Sequence, residues 1–239
     1  MILQLISRLL IRYLELPSSS NLSVPTSPFE YLKQTLQVGD VLLVEGKQKF
    51  SSAIKYLTQS NWSHAALYLG NGELIEADLK LGVIKVNINK YQSYHTRICR
   101  PVNLKKQDLD LMIEYVQKRQ GLTYDLKNIF DLAKYLFPVP IVPNKWKRKV
   151  LEFGSHDSTK VICSSVIAQA FQSIRYPVLP LESCVDGKKK LFIRHHSLFT
   201  PSDFDRSPYF QIIKPTITVG FNYQEIDLNH KNRMELDYE

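Results

Sequence analysis

Residues 62–77 read WSHAALYLGNGELIEA and decide the fold. Two apolar runs, at 65–69 and 73–77, flank Gly70-Asn71-Gly72, which is a strong signal for a β-hairpin. The first predicted strand opens with a histidine, His64, and the second contains a carboxylate, Glu76. This hairpin therefore starts an antiparallel sheet and also carries polar side chains into it.

The length of the hairpin loop determines whether His64 and Glu76 share a face of the sheet. A strict two-residue turn at 71–72 sends the two side chains to opposite faces. A three-residue loop at 70–72 pairs Ala66 with Glu76, so that His64 and Glu76 become diagonal neighbours on one face. Because the second glycine supplies the left-handed residue that such a loop requires, we predict the longer loop, or a bulge with the same effect.

Further elements extend outward from the hairpin. Additional strands are predicted at 40–45, 82–88, 96–102 and 211–214. Helices are predicted at 51–58, capped by Ser51 or Ser52, and at 104–120, 128–136 and 161–174. We therefore expect an α+β fold, with an antiparallel sheet or open barrel of about five to six strands packed against a helical layer.

Composition excludes several classes of protein. The chain has 239 residues, of which 44% are hydrophobic and 23% charged, as in ordinary globular proteins. Three cysteines, an odd number, exclude a fully paired intramolecular disulfide framework. The net charge of +8 favours an anionic partner. Since no nucleic-acid-binding motif is present, we expect an anionic membrane surface rather than nucleic acid.

Basic residues cluster late in the chain, at 145–149 and at 188–190 followed by 194–196. We interpret both clusters as solvated loops, and Trp146 inside the first favours a membrane interface.

The chain divides into four predicted segments. Residues 1–16 form an amphipathic helix that is too short to span a bilayer and lacks the features of a signal peptide. It either packs on the domain or lies on a membrane surface. Residues 17–28 form a Pro/Ser linker, 29–220 the compact domain and 221–239 a polar tail. We expect a cytoplasmic or peripherally membrane-associated protein, and the sequence leaves its oligomeric state open.

Cys163 stands at the predicted start of the helix at 161–174. Backbone N–H groups and the helix dipole favour an anion there, which increases the thiolate fraction of a cysteine. The same N–H groups suit an oxyanion hole. The alternative is a small buried apolar residue, as most free cysteines are. Cys99, in a strand, and Cys184, in a loop, lack this setting.

His64 and Glu76 complete a candidate catalytic group. A thiol nucleophile needs an imidazole to accept its proton and later return it to the leaving group. A carboxylate inside an apolar strand is costly unless it has a partner, and orienting an imidazole is one such use. Taken alone, His64 is equally well explained as a structural residue at the head of a core strand.

Five short motifs follow one another along the chain: GDVLL at 39–43, WSHAALYLG at 62–70, LIEA at 74–77, YD at 124–125 and ICSS at 162–165. In this order they resemble the circularly permuted papain-like cysteine hydrolases, the YiiX-like branch of the NlpC-type superfamily. Lecithin retinol acyltransferase and the small phospholipid acyltransferases are more distant relatives. The resemblance covers roughly residues 37–214.

The resemblance implies a permuted papain-like fold with Cys163 as nucleophile and His64 as base. Glu76 takes the third, polar position, where the acyltransferase relatives have a second histidine. Tyr124 and Ser164 match supporting positions, although Tyr124 is equally well explained as the end of a helix-to-loop turn. Neither a metal nor an organic cofactor is implied.

We therefore expect a cysteine hydrolase or acyltransferase that acts on an amide, ester or thioester of a small molecule, lipid or peptide. The charge and the N-terminal helix favour lipid-type acyl substrates at a membrane surface. Two alternatives are a cell-wall peptide amidase or endopeptidase and an inactive module that binds a lipid or a protein partner.

Overall fold

The computed structural model describes residue 16 and residues 25–78, 81–122, 162–185, 188–222 and 224. Several predicted features lie outside the described residues: most of the segments at 1–16, 17–28 and 221–239, Tyr124 and Asp125, the helix at 128–136 and the basic run at 145–149. The four-segment division of the chain therefore stays a prediction.

The described residues form eight strands: β1 (Val41–Val44), β2 (His64–Gly70), β3 (Glu73–Asp78), β4 (Gly82–Asn87), β5 (Thr96–Pro101), β6 (Leu181–Val185), β7 (Lys188–Phe192) and β8 (Phe210–Ile213). Six of them make one antiparallel sheet in the order β4-β3-β2-β1-β5-β8, while β6 and β7 pair separately.

The helices are α1 (Phe29–Thr35), α2 (Lys49–Thr58), α3 (Lys106–Gln117), α4 (Ile162–Ser173), α5 (Pro201–Arg206) and α6 (Pro215–Val219). Two 3-10 turns cover Ile88–Tyr91 and His196–Leu198. This arrangement confirms the predicted α+β class with an open antiparallel sheet. Within the described ranges, none of the helices combines the length and apolar character that a bilayer crossing needs.

The hairpin of β2 and β3 adopts the predicted register by means of a bulge. Its loop is Asn71-Gly72, with φ angles of 52° and 76°. The pairing shifts between Tyr68 and Gly70, so that Leu67 pairs with Ile75. The same register, continued along the strands, sets Ala66 beside Glu76 and leaves His64 and Glu76 on one face.

Each face of the sheet buries its own apolar cluster. The α4-side core contains Leu43, Leu67 and Ile75 of the sheet together with Ile167 and Phe171 of α4. The opposite cluster, here called the Tyr91-side core, is built by the alternate strand positions. Its members include Leu42, Ala66 and Leu74 of the sheet, Leu32 of α1, and Tyr91.

Three local predictions are wrong. Cys184, expected in a loop, lies in strand β6, where it pairs with Lys189 of β7. Gln48, not Ser51 or Ser52, stands at the N-cap of α2, because the helix begins earlier, at Lys49. The lysines at 188–190, interpreted as a solvated loop, belong to strand β7. The backbone pairing of β7 with β6 outweighs the low strand propensity of a lysine run.

Candidate active site

Cys163 is the second residue of α4, as the sequence predicts. The residue is 5% exposed and belongs to the α4-side core. N–H groups in the first turn of an α-helix have no acceptor within the helix, so the thiol lies among backbone donors. The neighbouring Ser164 hydroxyl donates to the Phe199 carbonyl over 2.6 Å, which fixes the start of the helix. Ser164 thus holds the backbone around Cys163.

His64 is held at the head of β2 by the residue before it. The Ser63 N–H donates to the Val44 carbonyl over 3.1 Å. The Ser63 hydroxyl accepts from the Gly46 N–H over 2.9 Å. A side chain at Gly46 would collide with Ser51 and Ser63, so glycine is required where these segments meet. His64 therefore starts its strand from a buried, hydrogen-bonded corner.

Glu76 lies in the middle of β3, and its side chain is 1% exposed. His64 Nε2 lies 3.2 Å from Glu76 Oε2. The Tyr91 hydroxyl donates to the same Oε2 atom, and the Lys90 ammonium donates to Oε1. Both oxygens of this buried carboxylate are therefore satisfied, which removes most of the cost of burying it.

The thiol and the imidazole meet at the rim of the sheet. Strand alternation places His64 and Glu76 on the side of the Tyr91-side core, whereas Cys163 belongs to the α4-side core. His64 nevertheless lies near enough to Cys163 for the thiol to raise the pKa of its ring, because both residues stand at the start of their elements. With Nε2 directed at Glu76, Nδ1 is the remaining ring nitrogen for proton exchange with the thiol.

The charges in the site stabilise one another. Burial alone would lower the pKa of His64, but the neighbouring Cys163 and Glu76 raise it to about 10. Burial alone would raise the pKa of Glu76, but His64 and Lys90 lower it to about 2. At neutral pH these directions favour an imidazolium held between an anionic carboxylate and the thiol.

Tyr91 also lines a cleft of about 520 Å³. The cleft is bounded by α1, β5 and α6, and its apolar lining includes Phe29, Leu32, Ile98 and Ile213. Burial, assisted by the Glu76 carboxylate, raises the pKa of the Tyr91 phenol well above its usual value. The hydroxyl therefore stays protonated and acts as a donor to Glu76.

The structure thus brings together Cys163, His64 and Glu76, the three residues singled out in the sequence. Tyr124 lies outside the described residues, and the catalytic roles stay predictions. Lys90 and Tyr91 were missed. The buried Glu76 was itself a signal, because one histidine satisfies only one of two carboxylate oxygens.

A thiol, an imidazole and a carboxylate in this arrangement are groups that acyl transfer can use. A thiolate beside an imidazolium is a strong nucleophile at neutral pH. The described residues hold no group of three or more His, Cys, Asp or Glu side chains placed to share a metal ion. Independence from metals and organic cofactors stays a prediction.

No protein-family model matches the sequence, and no curated protein is significantly similar to it. One solved structure that resembles the chain is the metalloprotein yiiX from Escherichia coli O157:H7, DUF1105. It is 13% identical, with 74% of this chain and 96% of that chain covered and a TM-score of 0.45. A likeness of this extent does not bear on the chemistry of the site.

Proposed function

We propose that this protein is a cysteine hydrolase or acyltransferase with a permuted papain-like site. Cys163 is the nucleophile, His64 the proton carrier and Glu76 the acid that holds His64. The observation that carries the proposal is the position of the His64 ring, whose Nε2 lies 3.2 Å from Glu76 Oε2 and whose pKa is raised by the nearby Cys163 thiol.

The reaction begins with attack of the Cys163 thiolate on the carbonyl carbon of an amide, ester or thioester. The carbonyl electron pair moves to oxygen, and backbone N–H groups at the start of α4 stabilise the resulting oxyanion. The bond to the leaving group then breaks, and the leaving group takes the proton of the His64 imidazolium. An acyl-thioester remains on Cys163.

The second half-reaction releases the acyl group. Water, or another acyl acceptor, gives a proton to neutral His64 as it attacks the thioester carbonyl. Collapse of this second intermediate returns the thiolate and leaves His64 protonated. Glu76 orients the ring throughout by accepting its Nε2–H. Hydrolase and transferase differ only in the acceptor.

The test is intact-protein mass spectrometry after incubation with panels of acyl esters, phospholipids and short peptide amides. We expect one acyl adduct, located on Cys163, and none on the Cys163→Ala protein. Cys99→Ala is the matched control, because Cys99 is also buried but lies within strand β5. An adduct that persists in Cys163→Ala, or that forms on Cys99, would contradict the proposal.

We further propose that the acyl substrate belongs to an anionic membrane surface. The support is the net charge of +8 and the amphipathic pattern at 1–16, whose polar stripe contains Arg8 and Arg12. Flotation of the full chain with phosphatidylserine vesicles tests this. Reversing both arginines to glutamate should abolish flotation, whereas failure of the unaltered chain to float would remove the membrane from the proposal.

A further inference from the structure

Glu76 receives two hydrogen bonds that the three-residue site does not require. They come from Lys90 and Tyr91, consecutive residues of the 3-10 turn that follows β4. Tyr91 donates to Oε2, the oxygen that also faces His64, and Lys90 donates to Oε1. The carboxylate is thus held on both oxygens.

The turn is itself firmly attached to the hairpin that carries His64 and Glu76. The Ile88 N–H donates to the Gly72 carbonyl in the hairpin loop over 2.8 Å. The Asn87 side chain accepts from the Asn89 N–H over 2.9 Å and caps the turn. Ile88 and Tyr91 are each 3% exposed. Lys90 and Tyr91 therefore keep a fixed position relative to the catalytic strands.

From these contacts, we infer that Lys90 and Tyr91 are positioning residues, which hold Glu76 so that it accepts the Nε2–H of His64. This inference rests on the proposed function. Neither side chain contacts substrate or Cys163 in the proposed mechanism, and both act through Glu76.

The physical reason is the tendency of a buried carboxylate to take up a proton. Burial is the largest influence on Glu76 and opposes its charge, whereas His64 and Lys90 favour it. A protonated Glu76 would donate to Nε2 instead of accepting from it. Nδ1 would then carry the ring proton, and neutral His64 would be unable to accept a proton from the thiol side.

The charged and titratable groups around this network come from several elements. His64 of β2 faces Glu76 directly, and Cys163 of α4 lies beyond it. Lys90 and Tyr91 approach from the 3-10 turn, and Tyr94 contacts the Tyr91 ring at a centroid distance of 5.8 Å. After His64, Lys90 is the group that most favours the charged form of Glu76, and its removal leaves the proton carrier of the proposed reaction in place.

The experiment measures the rate of Cys163 alkylation by iodoacetamide, and of acyl-adduct formation, between pH 3 and pH 9. Lys90→Met removes the charge and keeps the stem, and Tyr91→Phe removes only the hydroxyl. Lys90→Arg is the conservative rescue. Tyr94→Phe is a matched control for Tyr91, and Lys85→Met, a lysine of β4 that pairs with Glu73, is a matched control for Lys90.

We expect Lys90→Met to bring the acid limb of both profiles into this pH range, since the pKa of Glu76 is about 2 in the unaltered protein and an opposite charge shifts a carboxyl pKa by about one to three units. Tyr91→Phe should slow acylation about tenfold or more with KM unchanged, the loss expected for a hydrogen bond to a charged acceptor. Lys90→Arg and both controls should keep the profile of the unaltered protein.

Failure of the inference and failure of the proposed function give different results. Unaltered profiles in both Lys90→Met and Tyr91→Phe, with normal acylation, would overturn the positioning role alone. Absence of any Cys163 acyl adduct in the unaltered protein would overturn the function, and the alkylation profiles would still decide whether Lys90 controls Glu76. The Lys90 side chain is 43% exposed, so Lys90→Met should fold even if Tyr91→Phe does not. The inference can then still be tested with Lys90→Met alone.

Discussion

Near each end of the central sheet the protein buries one carboxylate and one thiol, and the two ends use them differently. Where β1 begins, Asp40 accepts from Arg100 Nε over 2.8 Å and from its Nη2 over 2.7 Å, with Cys99 close by in β5. Where β2 begins, Glu76 is bound by His64, with Cys163 beyond the ring. The carboxylate side chains are equally buried, each 1% exposed.

The difference lies in the chemistry of the partners. A guanidinium keeps its proton at every physiological pH, so the Asp40–Arg100 pair is fixed in charge and only holds strands together. An imidazole exchanges its proton, so the Glu76 end can take part in a reaction. The thiols at the two ends differ as well. Burial, with help from the carboxylates of Asp205 and Asp40, raises the pKa of Cys99 far above its usual value.

The largest effect is expected from replacing the proton carrier. His64→Gln should lower the rate of acyl-adduct formation by about 10⁴-fold, because the thiol loses its base and the leaving group its proton donor. His95→Gln is the matched control, since His95 Nδ1 also faces a carboxylate, Glu45, over 3.1 Å. Both rates are measured by mass spectrometry over time. Equal losses in the two variants would show that the effect is not specific to His64, and would contradict its role as the proton carrier.

The Asp40 end should respond in stability and not in reactivity. Asp40→Asn leaves the partly buried Arg100 without its anion, and we expect a loss of about 3 kcal/mol in the free energy of unfolding. Urea denaturation measures this loss. The alkylation rate of Cys163 in the folded variant should remain that of the unaltered protein, and a parallel fall in that rate would mean that the two ends are coupled.

Alkylation of the two cysteines compares the ends directly within one molecule. Iodoacetamide at pH 7 should modify Cys163 at least about a hundredfold faster than Cys99, because Cys163 has an imidazole near it, whereas burial raises the pKa of the Cys99 thiol. Peptide mapping after short exposures gives both rates. In 8 M urea the two alkylation rates should converge, because the folded site is lost. If Cys163 still reacted faster in urea, its neighbours in the sequence would be the cause, and the folded site would not.

Much of the His64–Glu76 end was visible in the sequence, whereas the Asp40–Arg100 pair was not predicted. Apolar alternation and the Gly-Asn-Gly loop predicted the hairpin, and the requirement that His64 and Glu76 share a face predicted its register. The start of α4 at Cys163 followed from the apolar periodicity of 161–174. These features depend on residues close together in the chain, where propensity and period are informative.

The remainder depends on long-range contacts. Lys90 and Tyr91 reach Glu76 only because β4 returns beside β3 and a 3-10 turn follows it. The pairing of β6 with β7 places three lysines in a strand that composition favours as a loop. The N-cap of α2 is Gln48, although the two serines predicted as caps stand nearby, since tertiary packing outweighs the modest energy of a cap.

The smallest effect, and the one that separates the two ends most clearly, is the pH dependence of stability. The pKa of Glu76 is lowered from 4.5 to about 2. Its contribution to the free energy of unfolding is therefore complete above pH 4.5 and is lost as the pH falls through 2. The pKa of His64 is raised from 6.5 to about 10, so its contribution is complete below pH 6.5 and is lost as the pH rises through 10. Glu76→Gln should therefore cost about 2 kcal/mol near pH 5–6, and less on either side.

Urea denaturation of the unaltered protein and of Glu76→Gln, at intervals from pH 3 to pH 10, measures this difference. The difference between the unaltered protein and Asp40→Asn should persist to the alkaline limit, because Arg100 does not lose its charge there. If the difference in unfolding free energy between the unaltered protein and Glu76→Gln also stayed constant up to pH 10, His64 would not be the titrating partner of Glu76. The two ends of the sheet would then hold the same kind of structural ion pair.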